Sequence, residues 1–261
     1  NLIINTFEPN VSLTETYFKN LTFELFNSSG IFNRTTYTDT TRIMNYTNIP
    51  DGTYTYNATI YTTTNQKNST NTRTISIDSS NPIINVTSPN GAINYYKKGN
   101  NLTLNWSVSD DHLETCWYEY NSTNTTLTCG DNNFSFLPTS QLNLTFYAND
   151  SFGNEQSNFT EWTFLILEKP VVFNSSTFET EQETFILNVS SSGTYTITAE
   201  FFYNNISQGE STKTGNNINA LFTSIIDIPT ASGNVSFYWT VSVGSTLANT
   251  TSNNQLINNI I

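Results

Sequence analysis

Apolar and polar residues alternate one by one along most of this chain. The stretches Asn20-Leu-Thr-Phe-Glu-Leu25, Asn101-Leu-Thr-Leu-Asn-Trp106 and Pro138-Thr-Ser-Gln-Leu-Asn-Leu-Thr-Phe-Tyr147 show it plainly. A period of two puts residues i and i+2 on one face, so each stretch reads as a strand with one buried and one solvated side. Turn signals punctuate the strands, among them Pro50-Asp-Gly52 and Ser88-Pro-Asn-Gly91. No segment calls for a helix.

The pattern also recurs over a longer distance. Glu15 to Leu25, Ile93 to Trp106 and, more loosely, Glu183 to Ser190 repeat one strand-start motif at a spacing of about 80 to 87 residues. The ends of the first two repeats match as well. Pro50 to Tyr61 corresponds to Pro138 to Tyr147, and Thr72-Arg-Thr-Ile-Ser-Ile77 to Glu161-Trp-Thr-Phe-Leu-Ile-Leu167. Proline-bearing joints, Asp78-Ser-Ser-Asn-Pro82 and Glu168-Lys-Pro170, separate the units, and proline stiffens such a joint. Units of this length with about seven short strands predict immunoglobulin-like or fibronectin III-like β-sandwiches. The expected fold is all-β, a rod-like tandem array with sandwiches at 1–79, 80–167 and 168–261, the last divergent and open to continuing into a longer chain.

Composition narrows the function classes. Charged residues make up 11% of the 261 and aromatics 14%, so the polar surface must be built of Asn, Thr and Ser. Nine Lys and Arg against 21 Asp and Glu give a net charge of −12, which argues against nucleic acid and anionic membrane as partners. The recurring aromatics argue against disorder. No apolar run is long enough for a membrane span. The first residue is Asn rather than Met, which reads as a mature or excised chain whose signal peptide, if it had one, is absent.

The triplet N-x-S/T occurs about twenty times. Two readings stay open where its middle residue is apolar, as at Asn20, Asn57, Asn85, Asn101, Asn105, Asn143, Asn188 and Asn234: glycosylation, or strand alternation that generates the triplet without any sugar. Asn27, Asn68, Asn121, Asn124 and Asn249 sit in turn-like contexts and are the candidate glycosylation sites. The two cysteines, Cys116 and Cys129, are symmetric about Ser122-Thr123, so a hairpin folded there sets them opposite one another at a separation suited to a disulfide. Such a bridge should contribute about 3 kcal/mol. A reduced pair, or a zinc pair lacking two further ligands, is the alternative. The disulfide implies an oxidising, extracellular or cell-surface location.

With these residues in view, the middle unit resembles the immunoglobulin-like repeats of archaeal and some bacterial cell-surface glycoproteins, of S-layer, stalk or filament type. The shared elements are the Asp78 to Pro82 joint, Ser88-Pro-Asn-Gly91, Asn101 to Trp106, Cys116-Trp-Tyr118 with Cys129, and Tyr147-Ala-Asn-Asp-Ser-Phe-Gly-Asn154. The joint and the Ser-Pro-Asn-Gly turn are each one residue short of the pattern. The match spans most of 78–167, and the first unit resembles a cysteine-free relative through Ile49 to Tyr61. The resemblance implies an extracellular multidomain array and no particular ligand.

Catalytic groups are scarce. The sole histidine, His112, reads as an exposed loop residue standing alone, and no carboxylate pair or phosphate loop is singled out. Asp110, Asp111 and Asp150, with Asp78 and Glu155 nearby, are candidate calcium ligands on oxygen-rich loops. No cofactor is otherwise required. Lys19 is the best placed lysine for an intramolecular isopeptide bond. Tyr95-Tyr96, Trp117-Tyr118 and Phe237-Tyr238-Trp239 are the aromatic clusters that could stack on sugars. The expected function is a non-enzymatic extracellular structural glycoprotein of a surface layer, stalk or filament, whose partners are copies of itself or other surface-layer proteins. The alternative is a receptor- or glycan-binding adhesin or virion fibre. The final segment, Asn254 to Ile261, is expected to be extended and paired, either within a longer array or as a strand donated to a neighbouring subunit.

Overall fold

The computed structural model describes residues 5–230 and 232–258, which form strands, turns and loops without a helix. No helix among them is long and apolar enough to cross a membrane, which says nothing of a β-barrel. Buried side chains gather into three clusters along the chain, each clamped between layers of strands. The class is therefore all-β, in tandem sandwiches.

The first sandwich comprises β1 (Phe18–Asn27), β2 (Gly30–Tyr37), β3 (Gly52–Thr62), β4 (Lys67–Ser69) and β5 (Arg73–Ile77). They form one sheet ordered β2-β1-β3-β4, with β5 on the other half of β3. The facing layer is thinner than the seven-strand expectation. It is reduced to isolated bridges, Phe7 to Tyr46 and Asn10 to Ile43. Phe7 stacks on Tyr46 at 4.9 Å and covers Leu21, Phe23 and Leu25 of β1. Tyr54 braces the start of β3 by donating its hydroxyl to the Pro50 carbonyl at 2.9 Å.

The second sandwich runs through β6 (Ile83–Ser88), β7 (Gly91–Lys97), β8 (Leu102–Ser109) and β9 (Leu113–Tyr120). It continues with β10 (Thr123–Leu127), β11 (Asn133–Phe136), β12 (Asn143–Asp150) and β13 (Glu155–Glu168). One layer is β11-β8-β6 and the other is β10-β9-β12-β13. Between β6 and β7 the chain crosses from one layer to the other at Ser88-Pro89, a cis peptide, and β7 then pairs parallel with β13. Trp106, Phe146, Tyr118 and Trp162 fill the space between the layers.

The third sandwich contains β14 (Ser176–Phe178), β15 (Gln182–Ser190), β16 (Thr194–Tyr203) and β17 (Ile206–Asn216). It closes with β18 (Asn219–Asp227), β19 (Gly233–Val243), β20 (Thr246–Asn249) and β21 (Asn253–Asn258). Its arrangement echoes the second: β14, the first strand, pairs parallel with β21, the last. The expected pairing of the final segment is met for Asn254 to Asn258. Both neighbours of β21, β14 and β19, belong to this chain, so β21 offers no free edge for exchange. Residues 259–261 lie outside the described residues, as do residues 1–4 of the expected N-terminal strand.

One device recurs in the first and third sandwiches. Thr70 interrupts the strand pairing beside β3, and its hydroxyl accepts the Ala58 N–H at 3.0 Å while its own N–H donates to the Ala58 carbonyl at 2.9 Å. Thr250 does the same with Trp239, at 2.9 and 2.8 Å. The threonine breaks the edge into β4 and β5, or β20 and β21, yet keeps the backbone N–H opposite it paired. Thr250→Val keeps the branched shape and removes the acceptor, orphaning the N–H of a tryptophan that is 2% exposed. We expect a loss of about 1–3 kcal/mol in urea unfolding. An unchanged midpoint would mean that the ladder closes without the hydroxyl.

Candidate functional site

Asp78, Asp110 and His112 meet at the first joint between sandwiches, and Tyr95 and Glu168 at the second. At the first joint, Asp51 reaches from the turn before β3. Its Oδ1 accepts the Ser79 N–H at 2.9 Å and the Ser79 hydroxyl at 2.8 Å, and its Oδ2 accepts the Ser80 hydroxyl at 2.6 Å. These bonds, that from Ser80 foremost, hold the Asp51 carboxyl below its ordinary range. Asp78, 6% exposed, points the other way. Its Oδ2 lies 2.6 Å from His112 Nδ1, and its carbonyl accepts the Asn154 side-chain amide at 3.1 Å. His112 also meets the Phe152 ring edge-on at 4.7 Å. The histidine is thus paired across the joint rather than alone.

The Tyr147 to Asn154 loop has a structural explanation. Asp150 is fully buried, and its Oδ1 accepts the Phe152 and Asn154 N–H groups at 2.9 and 2.8 Å. Its Oδ2 accepts the Asn154 side-chain amide at 2.7 Å, and Gly153 takes a φ of +94°, which favours glycine. Burial alone would raise the Asp150 carboxyl, but the bonds from Asn154, Phe152 and Gly153 outweigh it and the net direction is down. The expected calcium ligands Asp110, Asp111 and Asp150 are not brought together as one set. Asp150 spends its oxygens on its own loop, and Asp111 does not join the cluster. The groups brought together are Asp78, Asp110 and His112, whose ligand atoms lie within 4.8 Å of one another. That set does not fit calcium, which takes six to eight oxygens, because the imidazole contacts the Asp78 carboxylate directly.

The second joint is built from backbone. β13 passes from one core to the next: Phe164 packs in the second sandwich, while Ile166, two residues on, belongs to the third. Leu167 and Glu168 pair with β7 and also with Ser190 and Val189 of β15, so one sheet continues through the joint. Glu168 is 1% exposed and accepts a short hydrogen bond from the Tyr95 hydroxyl. Burial raises its carboxyl above the ordinary value, against the opposing pull of the Tyr95 bond and Lys97. Burial, reinforced by Glu168, likewise raises the Tyr95 hydroxyl.

The cysteines form a disulfide, with Cα atoms 5.2 Å apart, but not by the expected hairpin register. The turn falls at Asn121-Ser122, both at positive φ, so Leu127 rather than Cys129 stands opposite Cys116. Cys129 comes back to Cys116 from the turn beyond β10. Of the glycosylation candidates, Asn68, Asn121, Asn124 and Asn249 are exposed and Asn27 is half-buried. Asn121 alone sits at a hairpin tip, whereas Asn68, Asn124 and Asn249 lie in the short strands β4, β10 and β20. Among the strand-type triplets, Asn20, Asn57 and Asn188 bury their Oδ1 without a partner, which suits alternation rather than a sugar. Lys19 is exposed, without the buried partner that an isopeptide bond needs. In the aromatic clusters Tyr96, Tyr118 and, in the triplet, both Phe237 and Trp239 turn inward, as alternation requires. Tyr96 stacks on Phe164 at 4.5 Å, while Trp117 stacks on Tyr147, and Tyr238 on Phe202, as cross-strand pairs on the outer faces.

No protein-family model and no curated protein matches the sequence. Solved structures give loose superpositions. A three-immunoglobulin segment of titin, domains I67–I69 in an E-to-A mutated variant, is 10% identical with a TM-score of 0.49, covering 98% of this chain and 92% of that one. Fibronectin(III)-like modules of Clostridium thermocellum CbhA are 12% identical with a TM-score of 0.31, covering 67% and 93%. Immunoglobulin domains 1–5 of Sidekick-1 are 12% identical with a TM-score of 0.37, covering 92% and 52%. The chain is a set of tandem immunoglobulin-like sandwiches on the strength of its own strand order and packed layers.

Two outcomes follow for the joints. Asp150→Ala strips the acceptor from a buried loop and should cost about 3 kcal/mol, the worth of hydrogen bonds to a buried charge. His112→Ala removes one half-exposed contact and should cost under about 1 kcal/mol. Equal losses in chemical unfolding would contradict this division of roles. For Glu168 the sign is set by its raised carboxyl. Its contribution is full below the ordinary value of 4.5 and is lost as pH rises through the raised one. Glu168→Gln should therefore flatten the fall in stability between those two values, as read by urea midpoints across the pH range.

Proposed function

We propose that this protein is a non-enzymatic extracellular structural glycoprotein, a stiff element of a surface layer, stalk or filament. The observation that carries this reading is the construction of the joints. One is a continuous sheet through β13, and the other is pinned on both sides by Asp51, Asp78, His112 and Asn154. Rigid spacing between sandwiches suits an element that must hold distance. The disulfide suits an oxidising compartment, and the exposed Asn68, Asn121, Asn124 and Asn249 offer attachment points for sugar on a surface poor in charge. The reading needs no cofactor. Its partners are further copies of the chain or other surface-layer proteins.

A second reading, an adhesin or virion fibre, is favoured by the outward aromatic pairs Trp117–Tyr147 and Phe202–Tyr238, which are flat surfaces of the kind that sugars stack on. X-ray scattering tests the structural reading: a stiff array gives one sharply defined maximum dimension, and a broad distribution of lengths overturns it. Peptide mass measurement on native material tests the sugar coat, which is refuted if Asn27, Asn68, Asn121, Asn124 and Asn249 are all bare. Reproducible glycan-array binding that is lost on Trp117→Ala would favour the adhesin.

A further inference from the structure

The junction of the second and third sandwiches holds a cavity of about 590 Å³, within the range of small-ligand sites. Its floor is apolar, made by Tyr96 and Phe164 of the stacked pair. Its walls are hydroxyl and amide groups contributed by both sandwiches, Ser140 from one side and Ser191 and Asn217 from the other. Lys98 and Lys169 border it.

We propose that this cavity binds a saccharide carrying a carboxylate. Three independent observations point to that class. First, the charge is inverted relative to the rest of the molecule. The chain has six lysines and a net charge of −12, yet two of those lysines border this one cavity and no lining residue is acidic. Second, Ser191 lines the cavity, is 4% exposed and keeps its Oγ buried with no hydrogen-bond partner. Third, an apolar floor beneath hydroxyl-bearing walls matches the amphipathic rim and face of a sugar ring, while an ammonium pair matches its carboxylate. The lysines are held by their backbones. The Lys98 N–H donates to Glu168 at 2.8 Å and the Lys169 N–H to Asn188 at 3.0 Å. The Lys169 ammonium already donates to Asn219 Oδ1 at 2.7 Å, which keeps it at the rim with protons to spare. The cavity exists only because β13 carries one sheet across the joint, so its two walls are fixed relative to one another.

This site goes beyond the structural reading and needs neither assembly nor a sugar coat. The test is calorimetric titration of the intact chain with trigalacturonate and with sialyllactose, each against its neutral counterpart, galactotriose and lactose. At least one acid should bind, and its neutral counterpart should bind at least about tenfold more weakly. Lys98→Ala and Lys169→Ala should each weaken binding about tenfold, the loss expected for one charge-assisted contact. Ser191→Ala should weaken binding without lowering the melting temperature of the free protein. Lys98→Ala guards against misfolding, because the hydrogen bond that Lys98 makes to Glu168 comes from its backbone N–H, which alanine keeps. Binding of neither acid overturns the proposal, as does equal binding of acid and neutral sugar, or wild-type affinity in both lysine variants. A chain that scattering shows to bend at its first joint would leave this result standing, and failure here would leave the scattering result standing.

Discussion

A strand can end only where its backbone groups find other partners, and β13 does not end at the border of its sandwich. Its fourteen residues pair in turn with β12, β7 and β15, so the ladder that closes one core opens the next. Phe164 and Ile166 share a face but serve different cores, and for that reason rotation at this joint would have to break main-chain hydrogen bonds. The first joint solves the same problem with side chains. There the linker is gripped by Asp51 from behind and by His112 and Asn154 from ahead. Backbone coupling is indifferent to salt, whereas a carboxylate–imidazole pair is not, so the two joints differ in what can loosen them.

The same preference for uncharged bonding runs over the sheet faces. Facing hydroxyls bond across strands at Thr22–Thr36, Thr59–Ser69, Thr196–Thr214 and Thr198–Thr212, at 2.8 to 3.2 Å. The Arg34–Glu24 pair is the exception in β1 and β2. Such pairs contribute a few tenths of a kcal/mol to about 1 kcal/mol each. They let a surface with few charges tie its strands together without becoming sensitive to pH.

The alternation around Leu21, Leu104, Leu144 and Leu187 made the strands, the layered fold and the three cores legible, because burial on a pleated sheet has a period of two. The Asp78 joint and the Tyr147 to Asn154 loop were legible as motifs, but their purpose was not. A carboxylate that caps N–H groups and one that holds a cation have the same spelling, and only the direction of the neighbouring N–H groups tells them apart. The hairpin was misplaced by one residue because Asn121 as well as Ser122 takes positive φ, which moved the turn and took Cys129 out of register. The thin facing layer of the first sandwich was invisible, since Phe7 and Tyr46 form bridges rather than runs. The cavity beside Ser191 depends on residues far apart in the chain, and no local pattern announces it.

The parallel pairing of first and last strands has a mechanical consequence. In the second sandwich the chain enters through β6 and β7 and leaves through β13, and six residue pairs join β7 to β13 side by side in the same direction. In the third, three pairs join β14 to β21 in the same way. Tension applied along the chain therefore pulls the two members of each pair in opposite senses along their own length. Every bond in the patch is loaded together, in shear, instead of being peeled open one after another from an end. The second sandwich, with the longer patch, is the one built to yield last.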